Sequence, residues 1–291
     1  MTITLTTMVP EQAPEVGKLV YEAFREIAER HGFEPGFPSP EFAAVIVRLL
    51  AQTEGSESYL LVNEGRPIAC NFGDERDEAV GVGPVAVAVD QQGRGYGRRV
   101  METLLERADK AGFSSVRLTQ AAYNMESFSL YFKLGFDLKD LCASLRGRPA
   151  EDESPADQVR EYSPADLEAC DALHREVLGI GRRNDIEEMA RFATPVVVER
   201  HGELAGYLTR YPGDEVFVTH GVARDAAALR DLIIGTARAA PGELRLQVPS
   251  SQASTVRWAM GNGFRLVELI GYMVRGEYQQ PMGAWIPSPM Y

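Results

Sequence analysis

The chain has 291 residues, 45% hydrophobic and 25% charged, with a formal net charge of −12. Its length favours two domains, and its composition excludes a disordered, collagen-like or coiled-coil chain. The negative charge disfavours nonspecific contact with nucleic acid or anionic lipid.

No apolar run approaches the ~18 residues that cross a bilayer. Met1 to Pro10 lacks both a basic patch and a long apolar region, so no signal peptide is expected. Cys70, Cys142 and Cys170 are odd in number and widely spaced, which suits small buried hydrophobes in a reducing cytoplasm. His31, His174, His201 and His220 lack metal-like spacing, and no metal is expected.

In chain order, Val16, Leu19, Val20, Ala23, Phe24 and Ile27 predict a helix over 11–30. Pro35, Pro38 and Pro40 interrupt the chain, and Pro40 opens a second helix to about Gln52. Tyr59–Val62 and Pro67–Phe72 read as strands around an Asn63-Glu64-Gly65-Arg66 turn, and Val80–Val89 as a strongly β-forming strand. Arg98–Ala111 is a helix with the apolar stripe Val100, Met101, Leu104, Leu105 and Ala108. A strand over Ser115–Thr119 and a short helix over Ser127–Leu134, ending at Gly135, complete an α/β sandwich with a mixed central sheet flanked by helices.

Arg146 to Asp166 carries Gly147, Pro149, Pro155, Pro164 and six acidic residues with no sustained apolar period, which is linker chemistry. On both sides of it the same pattern recurs at one offset. Leu104-Leu105 precedes Leu232-Ile233, Val116-Arg117-Leu118 precedes Leu244-Arg245-Leu246, and Gly135-Phe136 precedes Gly263-Phe264, each by 128 residues. The expected organisation is two copies of one fold: residues 1–147, an acidic linker over 148–160, and residues 161–291.

The most informative stretch runs from Val85-Ala86-Val87 through Gln92-Gly93-Arg94-Gly95-Tyr96-Gly97-Arg98. A strand enters a glycine-rich turn that opens a helix. Glycines let backbone N–H groups approach an anion, and the helix start adds its dipole. Arg94 and Arg98 add charge, so a pyrophosphate is the expected guest. The dinucleotide fingerprint fails, because from Gly93 the third glycine falls at Gly97, one position early. The Walker pattern is absent.

Gln92-x-x-Gly95-x-Gly97 instead resembles the acyl-coenzyme A loop of the GNAT superfamily of N-acetyltransferases. Asn124-Met-Glu-Ser127-Phe-Ser-Leu-Tyr131-Phe-Lys133-Leu-Gly135-Phe136 resembles that family's second motif at the usual separation. The resemblance implies two tandem GNAT folds. The Val85-Ala86-Val87 backbone would meet the pantetheine arm, residues 92–98 would hold the pyrophosphate, and Asn124 and Ser127 would lie near the thioester. For Asn124 a helix N-cap is the structural alternative.

Tyr131 is the expected catalytic acid for the departing thiolate. Asp74, Glu75 and Glu57 are candidate bases, each alternatively a solvated turn residue. At the 128-residue offset Tyr131 falls on Ala259 and Asn124 on Gln252, and the second loop has no Gly-x-Gly. The second copy is therefore expected to be degenerate, an arrangement similar to that of mycothiol synthases.

The irregular tail from Gly276 to Tyr291 is expected to pack across the domain interface or line the acceptor pocket, and His31–Pro38 to form either a turn or an acceptor loop. The expected activity is direct transfer of an acetyl group from acetyl-CoA to a primary amine of a small molecule, by a monomer or homodimer. A noncatalytic acyl-CoA sensor and a protein acetyltransferase are the alternatives.

Overall fold

The computed structural model describes residues 3–151, 153–192, 195–211, 213 and 215–290. Met1, Asp152 and Tyr291, which fall in the expected first copy, linker and tail, lie outside the described residues. The chain divides into two compact units: Met1–Leu118 with Tyr123–Asp137 and Met290, and Thr119–Ala122 with Leu138–Pro289 and Tyr291.

In the first unit, β1 (Ile3–Thr6) is followed by α1 (Ala13–Arg30), α2 (Pro40–Gln52), β2 (Ser56–Asn63), β3 (Arg66–Asp74), β4 (Val80–Val82) and β5 (Ala86–Val87). Then come α3 (Tyr96–Ala111), β6 (Ser115–Ala121), whose last three residues count with the second unit, and α4 (Met125–Lys133). The strand order is β1-β2-β3-β4-β6, with β4 parallel to β6 and the other pairs antiparallel. Val16, Leu19 and Val20 of α1 pack with Leu60, Cys70, Phe72, Ala86 and Ala88 in one apolar core. The valine, leucine and phenylalanine side chains among these contribute about 1.5–3 kcal/mol each on burial. Gly17 brings α1 against the Ala44 backbone of α2, where a Cβ would collide. The predicted stripe of α3, from Val100 to Ala108, is buried as spaced.

The second unit holds β7 (Asp137–Gly147) apart from Asp137, then β8 (Gln158–Glu161), α5 (Leu167–Leu178), α6 (Arg183–Phe192), β9 (Val196–Arg200), β10 (Glu203–Tyr211) and β11 (Glu215–Ala223). It continues with α7 (Ala226–Ala239), β12 (Glu243–Pro249), α8 (Ala253–Gly261), β13 (Phe264–Gly276) and β14 (Ala284–Ile286). Its strand order is β13-β7-β12-β11-β10-β9-β8, and β14 pairs with β11. From β8 to α8 the element order repeats that from β1 to α4, apart from the separate β5.

Three local differences from the sequence expectations matter. The strand expected over 80–89 breaks at Gly83-Pro84-Val85, where Gly83 has φ +138° and Pro84 offers no N–H. An edge at residue 147 would assign β7 to the first copy, but β7 pairs with β12 from Leu244↔Gly147 to Pro249↔Cys142. The 128-residue offset marks element order and carries no information on which strand a partner comes from.

The stretch expected as a solvated linker is also anchored. Residues 158–161 form β8, Ala156 and Asp157 N–H groups donate to Asp231, and Arg200 pairs with Asp157 at 2.6 Å. All three cysteines are free and buried. Among the described residues no helix is long and apolar enough to cross a membrane, and no cluster of three or more His, Cys, Asp or Glu could hold a metal.

Candidate active site

The break between β4 and β5 opens the sheet. β4 pairs with β6 only at Val80↔Val116 and Gly81↔Arg117. Among the described residues β5 pairs with β3 alone, at Ala69↔Val87 and Cys70↔Ala86. The Ala88 N–H donates to the Ile68 carbonyl at 2.9 Å, so the alternating backbone turns the polar groups of Val85 and Val87 away from β3. They face an edge that no strand occupies among the described residues. Just before the break, the Val82 N–H donates to the Met290 carbonyl at 3.3 Å.

The glycine-rich turn follows. Gly93 (φ +74°) and Gly95 (φ +83°) sit in the left-handed region, with open space where a Cβ would lie. Their requirement is therefore conformational rather than steric. Gly95 is the N-cap of α3 and its carbonyl accepts from Arg99 N–H at 3.0 Å. The N–H groups of Tyr96, Gly97 and Arg98 precede the first helical hydrogen bond, and no side chain caps them. Gly97 has ordinary φ, and a Cβ there would make normal contacts with Val87 and Leu130.

Side chains divide between tightening this turn and charging it. The Gln92 Nε2–H donates to the Val87 carbonyl at 3.3 Å, tying the turn to β5. Arg98 pairs along the helix with Glu102 at 3.2 Å. Arg94 is exposed at the tip. Arg66 grips Asp90 through two hydrogen bonds of 2.9 and 2.8 Å, and that guanidinium draws the Asp90 carboxyl down to about 2. No acidic residue lies in the first turn of α3, so the helix start stays positive.

After β6 the chain enters α4, whose N-cap is Asn124. Its Oδ1 accepts from Ser127 N–H at 3.1 Å, and the Ser127 hydroxyl donates to the Asn124 carbonyl at 3.0 Å. The Asn124 side chain thus caps the helix through its oxygen, while its amide keeps its two N–H donors. Tyr131 lies on the buried face, 6% exposed, with its ring 5.9 Å from that of Phe136. Burial pushes its phenol well above the usual tyrosine range, so the hydroxyl stays protonated and able to donate.

A feature missed from sequence is an aromatic stack. Phe33 and His31, from the segment between α1 and α2, stack on Tyr123 at centroid distances of 4.4 and 5.5 Å. The only sequence signal is an aromatic residue immediately before Asn124.

The three candidate bases are drawn into ion pairs. Asp74 holds Arg76 at 2.6 Å, while Glu57 and Glu75 share Arg107 at 2.6 and 3.0 Å. Burial raises the Glu75 carboxyl, against the lowering effect of Arg107. Arg107 also lines a groove of about 430 Å³ with Tyr59, Thr103, Glu106, Lys110 and Ala111. At 1.5 Å per residue, that groove lies about 18 Å along α3 from Gly95, away from the glycine-rich turn.

Residues 18–136 match the family model described as "Acetyltransferase (GNAT) family". No curated protein matches the sequence. Among solved structures, a candidate acetyltransferase from Pyrococcus horikoshii superposes with a TM-score of 0.72 at 17% identity, covering 99% of this chain and 92% of that one. A GCN5-related N-acetyltransferase from Sphaerobacter thermophilus gives 0.65 at 17% identity, covering 96% of each chain. A GCN5-related N-acetyltransferase from Anabaena variabilis gives 0.59 at 12%, covering 94% of this chain and 72% of the other. These likenesses establish a shared fold.

Proposed function

We propose that this chain, which carries a GNAT acetyltransferase domain over residues 18–136, moves an acetyl group from acetyl-CoA to a primary amine of a small molecule, using the first of two copies of one fold. The carrying observation is the unoccupied β5 edge running directly into an uncapped helix start. An amide-bearing pantetheine arm fits the backbone groups of Val85 and Val87 as an added strand. The N–H groups around Gly95, with Arg94, suit the pyrophosphate. Nothing else in the described chain combines these two features.

Transfer requires the amine nitrogen to attack the thioester carbon and the C–S bond to break. The amine gives up one proton and the thiolate takes one up. A phenol as tightly buried as Tyr131 holds its proton strongly, so its role is to donate a hydrogen bond to sulfur as charge develops there. The same dry surroundings raise the affinity of the thiolate for a proton. Asn124 lies about two α4 turns before this point and offers its amide N–H groups to the arm.

An amine panel scored by release of free thiol from acetyl-CoA tests the reading. Acetylated small amine, identified by mass, is the expected outcome. Stoichiometric binding without thiol release from any amine would instead favour a sensor, and acetylation confined to peptides a protein-modifying enzyme.

A further inference from the structure

The second copy is filled where the first is open. The 128-residue offset places Val116 on Leu244, whose partner on β11 is Val216, as Val80 is the partner of Val116. Val85 and Val87 then correspond to Gly221 and Ala223. The neighbouring strand agrees, because Ala69↔Val87 matches Gly206↔Ala223, and Ala88 N–H to Ile68 matches Arg224 N–H to Ala205 at 2.9 Å. In the second copy this edge carries β14, paired antiparallel at Gly221↔Ile286, Val222↔Trp285 and Ala223↔Ala284.

Gln252 is the N-cap of α8, as Asn124 is of α4. Its side-chain amide holds the backbone of β14 from the other side. Nε2–H donates to the Trp285 carbonyl at 2.6 Å, and Oε1 accepts from the Trp285 N–H at 3.1 Å. The helix start is filled as well. At α7 the Asp225 carboxylate accepts from Ala227 and Ala228 N–H at 3.0 and 2.9 Å, and itself pairs with Arg200 at 2.7 Å. Ala284 and Ile286 are buried in the core of that unit, so β14 is fastened by packing as well as by hydrogen bonds.

We infer that the second copy contains an internal imitation of the coenzyme: β14 in place of the pantetheine arm, Gln252 gripping it, and the Asp225 carboxylate in place of the phosphate. This rests on the reading of the first copy as the coenzyme site. The second copy is thereby held in the form a bound coenzyme would impose, and the full chain takes up one acyl-coenzyme A. An amide in a strand at that edge and a carboxylate at that helix start offer the same hydrogen-bonding groups as the arm and its phosphate.

Amide hydrogen exchange of the full chain, with and without coenzyme A, tests this. Expected is slow exchange at Gly221, Ala223 and 284–286 without ligand and no change on its addition, while Val85 and Val87 slow at least tenfold only with coenzyme. Gln252→Ala should speed exchange at 284–286 at least tenfold and leave coenzyme affinity unchanged. Exchange at Gly221 and Ala223 as fast as at Val85 and Val87 in the ligand-free chain would overturn the inference, as would a second bound coenzyme. Failure of the underlying functional reading has a different signature: no slowing at Val85 and Val87 with coenzyme, which overturns both.

Discussion

Replacing Tyr131 with Phe isolates the chemistry assigned to one oxygen atom. The ring stays buried beside Phe136, so packing is retained. No hydrogen bond to that hydroxyl is found among the described residues, so its loss leaves no protein group stranded. Folding stability should fall by less than about 1 kcal/mol, whereas Tyr131→Ala would open a cavity costing about 3–5 kcal/mol. A hydrogen bond to a developing thiolate is worth about 1.5–3 kcal/mol, or roughly 10- to 150-fold in rate.

The assay is initial thiol release with an amine found in the panel, alongside calorimetric titration of coenzyme. Turnover should fall at least tenfold while coenzyme affinity is kept. Unchanged turnover would refute the role of Tyr131, and equal losses in both measurements would make it a binding residue. The raised phenol also fixes a pH dependence. Its folded value lies above its unfolded value of about 10, so its contribution to stability is complete below pH 10 and fades as pH rises further. Tyr131→Phe should flatten that alkaline loss in thermal melts.

Asn124→Ala should cost about 1 kcal/mol through loss of the cap and also weaken coenzyme binding. Asn124→Asp keeps the cap acceptor but has no N–H to offer, so full recovery of affinity in that variant would reduce Asn124 to a cap. Arg94→Ala should weaken coenzyme binding several-fold at low salt and progressively less at high salt, because an exposed charge is screened over a Debye length of about 10 Å at 0.1 M; a salt-independent effect in titrations would contradict this. His220 is fully buried beside His174 and Tyr207, and burial, followed by the Arg182 charge, holds it well below its usual pKa. The unfolded chain therefore binds the extra proton first, and stability should fall as pH drops below about 6.5, by at most about 1.4 kcal/mol per pH unit. In chemical denaturation His220→Gln should show a shallower acid slope, and an unchanged slope would place the effect elsewhere.

Much of the first unit was legible because its signals are local. The α3 stripe, the Gly95 helix start and the Gly135 stop each follow from residues within a few positions. The β4–β5 break was marked by Gly83-Pro84, yet the β-branched run around it reads as one strand. Its consequence, an open edge, depends on β6 diverging, which no local pattern encodes. The filled edge in the second unit was hidden for the same reason. Residues 284–286 become a strand only by meeting β11, and their proline-rich flanks read as irregular. Asp225 ahead of an apolar helical run is a readable cap, but its likeness to a phosphate emerges only beside the uncapped start of α3. The acidic candidates for the base rest on position alone: Arg76 stands two residues from Asp74 and could have signalled the pairing, whereas Arg107, 32 residues beyond Glu75, reaches it only through the fold.

The most direct measurement is calorimetric titration of acetyl-CoA into the native chain and into a Gly95→Glu, Gly97→Glu double variant. Gly95 faces open space and Gly97 meets only ordinary contacts, so the fold tolerates the change at a cost of about 1–2 kcal/mol for the left-handed Gly95 position. The native chain should bind one acetyl-CoA, and the double variant none. Stoichiometric binding that persists in the double variant, or no binding by the native chain, would contradict a single coenzyme site built on β5 and the start of α3.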